Sequence, residues 1–401
     1  MCVVSVDVSD PRNVKEVNRQ YISGAYLSSR KVDGTFLVMS RYQISNKELD
    51  FDDITTFLPQ VGRPGEMVCV GAEDIIAPDV LTSMNYTVVT MISEKGLVVA
   101  DAVALLSYSN ELYVSENNIF ATHSYSKEVK KNVSKTVTEI SCLSYAGGRL
   151  ENKGSIVLDG SVKNQYSMDE HKGILRVVTS TAVTTFEEYT NGDSVYRMNI
   201  GTKRNVNLYA IGLSDWSVKA KVEAFAPEGE TAESVRFDGD VAYVCTAEVI
   251  TLTDPVYYFD LSDLSNITWK DTGTIDGYSS SLVNFGDYLL GIGYNEFRDL
   301  KIEIYQETEA GIVSVCSYEL VARFSEEYKS YLIDREKQLV GLHVFDYEQG
   351  RRYLLLGFDG TQLRELTSIP AEAALDKTRA VLIDNWLYLF TAQEFIVEKV
   401  W

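Results

Sequence analysis

The apolar residues of this chain recur with a period of two rather than 3.6, and they do so around two alternating kinds of turn. Asp33-Gly34 is followed by Thr35-Phe36-Leu37-Val38-Met39, and Asp238-Gly239-Asp240 by Val241-Ala242-Tyr243-Val244. Gly286-Asp287 is followed by Tyr288-Leu289-Leu290-Gly291-Ile292, and Asp384-Asn385 by Trp386-Leu387-Tyr388-Leu389-Phe390. A strand, a tight Asp/Gly/Asn turn and a second strand are a hairpin signature, because these residues tolerate the positive φ that such turns require. The same hairpin is expected at Ser109-Asn110, at His171-Lys172-Gly173 and at Glu336-Lys337. The second turn closes on Ser-Asp: Val6-Asp7-Val8-Ser9-Asp10-Pro11, Ile211-Gly212-Leu213-Ser214-Asp215 and Phe259-Asp260-Leu261-Ser262-Asp263. Asp and Ser side chains accept from backbone N–H groups about two residues on, which stabilises these bends. Weaker copies lie at Ile92–Gly96, Ser144–Gly147 and Phe358-Asp359-Gly360.

Joined in chain order, the two turns define one unit of strand, Ser-Asp turn, strand, loop, strand, Asp-Gly turn and strand. Units start near Val3, Thr87, Thr138, Asn207, Val256, Lys301 and Tyr353. The later spacings, about 50 residues, fit propeller blades. A lone four-stranded sheet has two apolar faces and two open edges; radial packing of several buries the faces and leaves short edges. The expected fold is therefore all-β: a single β-propeller domain over residues 1–401, with about seven four-stranded antiparallel blades. A stack of sandwiches is the weaker alternative, since no Pro-, Gly- or Ser-rich linker separates the units. Long blade insertions are expected near residues 43–84 and 186–203. Such excursions either carry function or cap one face of the ring. Glu394–Trp401 reads as one more strand. Either it clasps the first blade, or it opens a further blade of a truncated eight-blade ring.

Charge narrows the function classes. Lys and Arg total 37 against 58 Asp and Glu, a formal net charge of −21. Nucleic-acid affinity comes largely from cations on phosphates, so nucleic acid is not an expected partner. No apolar run reaches the roughly 18 residues of a membrane helix, so no transmembrane segment is expected in this chain. The opening Met1-Cys2-Val3-Val4 shows no signal-peptide pattern, so the chain is read as cytoplasmic or as lacking its leader. Cys2 is a frayed free thiol or a lipidation site of a trimmed lipoprotein. The five cysteines are isolated and form no CxxC pair, so no zinc site of that type is expected, and Cys142, Cys245 and Cys316, in apolar strand-like runs, are expected to be buried free thiols.

Catalytic signatures are sparse. Three histidines, His123, His171 and His343, form no HExxH pair, and neither a GxSxG elbow nor a GxxxxGK loop occurs. His343, in Leu342-His343-Val344-Phe345, reads as a satisfied strand histidine. Asp50-Phe51-Asp52-Asp53 is a weak calcium candidate: it offers carboxylate oxygens without the DxDxDG spacing, and a solvated acidic loop is the plainer reading. No other cofactor is expected. In a propeller, the loops between second and third strands open near the central channel. By that rule Arg30, Asn164, Gln165, Asp169, Arg236, Tyr278 and Arg379 are the candidate ligand-binding set. Converging guanidiniums favour an anionic ligand through forked, charge-assisted bonds. The competing reading pairs each Arg with a neighbouring carboxylate to set blade packing. Trp216 and Trp269, at or after Ser-Asp turns, are either exposed sugar-stacking groups or packing residues.

Several segments resemble the bacterial and archaeal beta-propeller domain family, secreted proteins whose C-terminal propeller is distantly related to WD repeats. They are Asn164–Glu170 with Leu175–Thr179, Ser234–Phe237 with Asp240–Val244, Val256–Asp263, Leu289–Gly293, Asn85–Val88 and Glu73–Ile76. The resemblance implies an extracellular or envelope location and a binding or scaffold role. It does not imply a common activity. Two departures stand out. Family members usually carry a leader or anchor and an additional N-terminal blade, which are not seen here. They often carry a His after the segment matching Ala322-Arg323-Phe324, where this chain has Tyr328-Lys329-Ser330. The expectation is a non-enzymatic, monomeric binding propeller with a protein or glycan ligand. The alternative is a propeller hydrolase or lyase acting on an acidic or carbohydrate substrate. Buried carboxylates beside the Arg group would favour the enzyme; an exposed, aromatic-rimmed face would favour binding.

Overall fold

The structure is a computed structural model. It describes residues 1–7, 15–45, 49–107, 109–191, 194–248, 253–276, 278–308 and 311–401, with backbone only at 191, 248, 253–254, 272–276, 278–281, 307 and 311. Among the described residues there are strands and one-turn 3-10 helices but no α-helix, and the strands form antiparallel meanders, Ile75–Ile76 alone being added in parallel. The chain makes two compact units. One comprises Met1–Val177, Thr181–Thr202 and Ile211–Val218; the other comprises Val178–Ser180, Lys203–Ala210 and Lys219–Trp401.

In the first unit, Ala25–Val32, Thr35–Gln43, Asn85–Ser93 and Val98–Leu105 form one meander, with the short Ile75–Ile76 strand added in parallel. The turn at Asp33-Gly34 has φ values of 45° and 74°, the double positive φ that the hairpin signature anticipates. The strand Thr35–Gln43 explains why the sequence reads as a near-continuous apolar run. Leu37 and Met39 enter one core with Val89, Met91, Ile119 and Leu143, while Val38 enters another with Val88, Ile92, Ala104 and Ile22. Because successive side chains point to opposite faces, both faces of this sheet are buried. Each fully buried Leu or Met contributes about 1.5–3 kcal/mol.

The insertion near 43–84 is not a loose cap. Its strands Gln60–Arg63 and Glu66–Cys69 pair with each other and extend the hairpin Cys2–Asp7/Lys15–Ile22 into a four-stranded sheet. The Ser-Asp turn expected at Val6–Pro11 falls largely on residues 8–14, outside the described residues. The second expected insertion, 186–203, is likewise regular. Ile174–Asn191 and Ser194–Gly212 are long strands, and the first pairs with Val133–Ser144 through Val133↔Thr185 and Lys135↔Val183. Two extended hairpins thus join into one arm within an eight-stranded sheet.

The second unit stacks similar meanders: Glu230–Asp238 to Thr268–Asp276, Tyr278–Phe285 to Gly311–Leu320, and Ala322–Phe324 with Leu332–Asp334 through Leu339–Asp346 and Gly350–Phe358 to Leu363–Pro370. Here too alternate residues serve different cores. Leu354 and Leu356 pack with Leu342, Val344 and Ile302, whereas Tyr353 and Leu355 pack with Leu387 and Leu389.

Three expectations need correction. First, the sheets begun by Ala25–Val32 and Glu230–Asp238 start two strands later than the sequence units near Val3 and Asn207. In the sheet begun by Glu230–Asp238 the Asp-Gly hairpin at Gly239 comes first and the Ser-Asp turn at Asp260–Asp263 follows. A cyclic pattern has no intrinsic start; cross-strand pairing such as Thr35↔Ser93 decides it. Second, the hairpin expected at Ser109-Asn110 turns instead through residues 115–117, between Leu112–Val114 and Asn118–Lys130. Asn110 is used differently: its side-chain oxygen accepts from the Ser124 amide at 2.8 Å. Third, the terminal strand does not begin a sheet of its own. Phe395–Lys399 pairs antiparallel with Trp386–Phe390 as the third strand of the sheet begun by Arg379–Ile383.

Candidate functional site

The polar groups singled out in the sequence come together most clearly in the first unit. Arg30 sits on Ala25–Val32, directly behind the hairpin that starts the meander. Its guanidinium donates to Ser28 Oγ at 3.0 Å, to the Ser29 carbonyl at 2.8 Å and to Gln165 Oε1 at 2.9 Å. Gln165 opens a one-turn 3-10 helix, Gln165–Ser167, capped by Asn164, whose side chain accepts from the Tyr166 amide at 2.9 Å. Arg30 and Gln165 are thus joined by a hydrogen bond across 135 residues, and Asn164 fixes the turn that presents Gln165. All three of Arg30's partners are neutral, and among the described residues no carboxylate lies within ion-pair distance of it.

Two exposed tyrosines flank this junction. Tyr26 is 60% exposed, and its hydroxyl lies 3.0 Å from Ser29 Oγ; Tyr166 is 44% exposed. Sequence reasoning named neither as a site residue. The signal available was position: Tyr166 adjoins Gln165, and Tyr26 is an aromatic at the start of the strand that carries Arg30.

The carboxylates that follow Gln165 in the chain are engaged. Asp169 pairs with the buried Arg176, whose Nε donates to Asp169 Oδ2 at 3.0 Å and whose Nη2 donates to the same oxygen. Glu170 accepts from Ser115 Oγ at 2.5 Å and from Asn118 Nδ2 at 2.9 and 3.1 Å. The Tyr113 hydroxyl accepts from the Glu170 amide at 3.1 Å. Burial, with the Glu170 charge adding to it, pushes the nearby Cys142 thiol up to about 12. It is therefore a protonated, inert thiol at neutral pH.

The other candidates occupy the second unit. Arg236 pairs with Asp238 at 3.4 Å, and Asn284 donates to the same carboxylate at 3.1 Å. Arg379 donates to the carbonyls of Asp376 and Thr378 at 3.0 and 2.7 Å. These two arginines share no hydrogen-bond partner. Tyr278 lies on Tyr278–Phe285, and its side chain is outside the described residues. His343 is buried: Nε2 donates to the Ala371 carbonyl at 2.9 Å and Nδ1 accepts from Thr378 Oγ1 at 2.6 Å. Burial holds its pKa below the ordinary 6.5, with Arg351 adding to the effect and the Ala371 hydrogen bond and Glu372 opposing it. It is a neutral structural imidazole, as its apolar sequence context suggests.

This arrangement has a pH signature. Below about 6.5 the unfolded chain binds a proton at His343 that the folded chain refuses, so the stability His343 supports above that pH is lost as pH falls. The unfolding midpoint is expected to drop between pH 7 and 5, and the drop to shrink in His343→Leu. An equal drop in both chains would assign the effect to other groups.

In the acidic segment, Asp50 Oδ1 accepts from the Asp52 amide at 2.9 Å, and Asp53 caps Ile54–Thr56 through the Thr55 amide and hydroxyl. These oxygens serve local turns. Among the described residues no group of three or more His, Cys, Asp or Glu is placed to hold a metal ion. Trp216 packs against Gly154 and donates to the Lys153 carbonyl at 2.5 Å; Trp269, though 43% exposed, stacks on Phe259 at 6.1 Å. Among the described residues no helix is long and apolar enough to cross a membrane.

The antiparallel meanders with both faces buried agree with the family comparison, in which the model of the beta propeller domain matches residues 1–400. The chain belongs to the beta propeller domain family. Among its relatives, an uncharacterized protein of Methanocaldococcus jannaschii is 28% identical over 246 residues, covering 59% of this chain and 35% of that protein. An uncharacterized protein of Archaeoglobus fulgidus is 24% identical over 309 residues, covering 74% of this chain and 41% of the relative. The beta propeller chain therefore spans less than half the length of these curated relatives. A solved structure of an uncharacterized Listeria monocytogenes protein has a TM-score of 0.42 at 8% identity, covering 95% of this chain and 97% of that one.

Proposed function

We propose that this beta propeller is a non-enzymatic binding module that takes a carboxylate-bearing ligand, an acidic glycan or an acidic peptide, on the Tyr26–Arg30–Gln165–Tyr166 patch. The observation that supports this is the state of Arg30: a guanidinium oriented by three neutral acceptors, with no carboxylate among the described residues to neutralise it, beside two exposed aromatic rings. A ligand carboxylate would complete its charge pairing through charge-assisted bonds, and the tyrosines would offer flat, rigid surface for stacking. The hydrolase or lyase reading has less support, because neither Asp169 nor Glu170 is buried and the charge of Asp169 is taken up by Arg176. An extracellular or envelope location, implied by the family, belongs to the same proposal. Fractionation of the source cells with an antibody to this chain tests it, and a purely cytoplasmic signal would remove it.

The binding test uses uronic-acid oligosaccharides and Asp/Glu-rich peptides as probes on the purified chain. Arg30→Ala is expected to weaken the binding probe at least about tenfold, the loss of one charge-assisted pair, with an unchanged circular dichroism spectrum. Tyr166→Ala is expected to weaken it less. Binding unaffected by Arg30→Ala, or the absence of binding to both probe classes, would overturn the proposal.

A further inference from the structure

The arm formed by Asn118–Lys130, Val133–Ser144, Ile174–Asn191 and Ser194–Gly212 ends in two free edges, and the edges differ. The Asn118–Lys130 edge is guarded: Lys127, Lys130 and Lys131 lie at its tip, and the register shifts between Glu128 and Lys130. Lysines and bulges of this kind are how proteins block strand addition. The other edge, residues 194–200, reads Ser-Val-Tyr-Arg-Met-Asn-Ile. It has no Pro and no Lys, every residue is exposed, and Val195, Met198 and Ile200 are each at least half exposed. Among the described residues no further strand lies beyond it, since the neighbouring strand Ser217–Val222 follows a turn from the far end of Ser194–Gly212.

Charge indicates which chain can add here. On a molecule of net charge −21, two copies repel each other over most of their surfaces. This edge is neutral. Its one cation, Arg197, is already paired within the arm, to Glu188 at 3.0 Å and Glu128 at 3.4 Å. The sequence is also self-complementary about Met198. Antiparallel pairing with a second copy on a two-fold axis at Met198 sets Tyr196 opposite Ile200 twice and Arg197 opposite Asn199 twice. Aromatic and β-branched cross-strand pairs are favourable, and no like charges meet. Shifting the axis to Arg197 would oppose two guanidiniums. By strand alternation Tyr196, Met198 and Ile200 share one face, where Tyr196 already stacks on Tyr189 at 5.3 Å. Pairing would continue that apolar stripe across both copies.

We propose that the arm edge at residues 194–200 is a self-association surface, which adds a second copy of this chain as an antiparallel strand centred on Met198. This replaces the monomer expected from the sequence and is independent of the Arg30 patch. An edge of this length buries less than the roughly 800 Å² per partner of a standard stable interface, so the dimer is expected to be reversible and concentration-dependent.

Sedimentation of the full chain over a concentration series tests it, with an expected rise from 44.9 kDa towards twice that mass. Met198→Lys is expected to raise the dissociation constant at least tenfold, while Val129→Lys on the guarded side leaves it unchanged. Met198→Cys is expected to form an oxidised dimer, since directly opposed strand residues lie within disulfide reach; Lys127→Cys is not. Both are read against the unsubstituted chain, whose exposed Cys2 sets the background. A wild-type chain monomeric at all concentrations, a dimer unaffected by Met198→Lys, or cross-linking at position 127 rather than 198 would overturn the proposal. So would a monomer that instead takes up an added strand peptide, which would assign the edge to a foreign partner.

Discussion

Gly24→Ala is expected to destabilise the first unit by about 3–4 kcal/mol, one of the two largest single-residue effects anticipated for this chain. Gly24 joins Lys15–Ile22 to Ala25–Val32 with φ at +93°, a conformation that costs an L-residue about 1–2 kcal/mol. A Cβ there would also sit 2.5 Å from the Arg41 carbonyl carbon and 2.7 Å from the Tyr42 amide nitrogen. Both are backbone atoms of the central strand Thr35–Gln43, which is paired on both sides and cannot rotate away. The Gly24 carbonyl also accepts from the chain's N-terminal amine at 2.9 Å, so the displacement would reach the first strand. Denaturant unfolding checks the magnitude. Gly65→Ala is the control: its φ is +79°, but nothing lies within 4 Å of the added methyl. It is expected to show the conformational cost alone, about 1–2 kcal/mol. Equal losses in the two variants would remove the steric argument. Because Gly24 starts the strand that carries Arg30, its variant is also expected to weaken ligand binding.

Asp346→Ala is expected to cost the second unit about 3–5 kcal/mol, the typical result of leaving one half of a buried ion pair alone. Asp346 and Arg352 are each only 5% exposed at the side chain. Arg352 donates to Asp346 through Nε at 3.2 Å and Nη2 at 2.9 Å, and to Ser368 Oγ at 2.6 Å. The Glu348 and Gln349 amides donate to the other oxygen of Asp346. Without the carboxylate, a buried guanidinium would retain only the half-exposed Glu365 at 3.3 Å as a counter-charge. The double variant Asp346→Leu/Arg352→Met is expected to recover most of the loss, because apolar replacements of a buried pair are often neutral. A double variant as unstable as the single one would mean that the amide contacts, not the charges, carry the effect.

Asp346 also adds to acid sensitivity. Burial alone would raise its pKa, but the two amides and Arg352 outweigh it and hold the group below its ordinary 3.8. The folded chain therefore holds this proton less tightly than the unfolded chain. The stability it adds is present above about pH 4 and is lost as pH falls further. That window lies below the one expected for His343, so the two contributions separate along a pH series.

How far the sequence was legible follows from the range of the interactions involved. The hairpins at Asp33-Gly34 and His171-Lys172-Gly173 were readable because their turns are local: the residues at the bend set the φ values themselves. Asn164 as a cap was accessible for the same reason. The phase of the sheets was not, since it depends on pairing between strands separated by the insertion. The hairpin expected at Ser109-Asn110 failed because Asn110 reaches the Ser124 amide across a strand. The terminal strand was misassigned because an apolar run does not say which neighbour it pairs with. At the site, Arg30 and Gln165 were named in one candidate set, but which of its members meet, here across 135 residues, was invisible, and so were the tyrosines beside them.

By itself, then, the sequence determined the all-β class, the meander built of two alternating turns, and the place of His343 in an apolar strand. Each rests on period-two patterning or on a bond between near neighbours. Only the tertiary structure decided which strands share a sheet, that both expected insertions are themselves paired strands, and that Arg30 meets Gln165 rather than a carboxylate among the described residues. Those outcomes depend on long-range register and on which of 58 carboxylates come to face which of 37 cations, and no local rule encodes either.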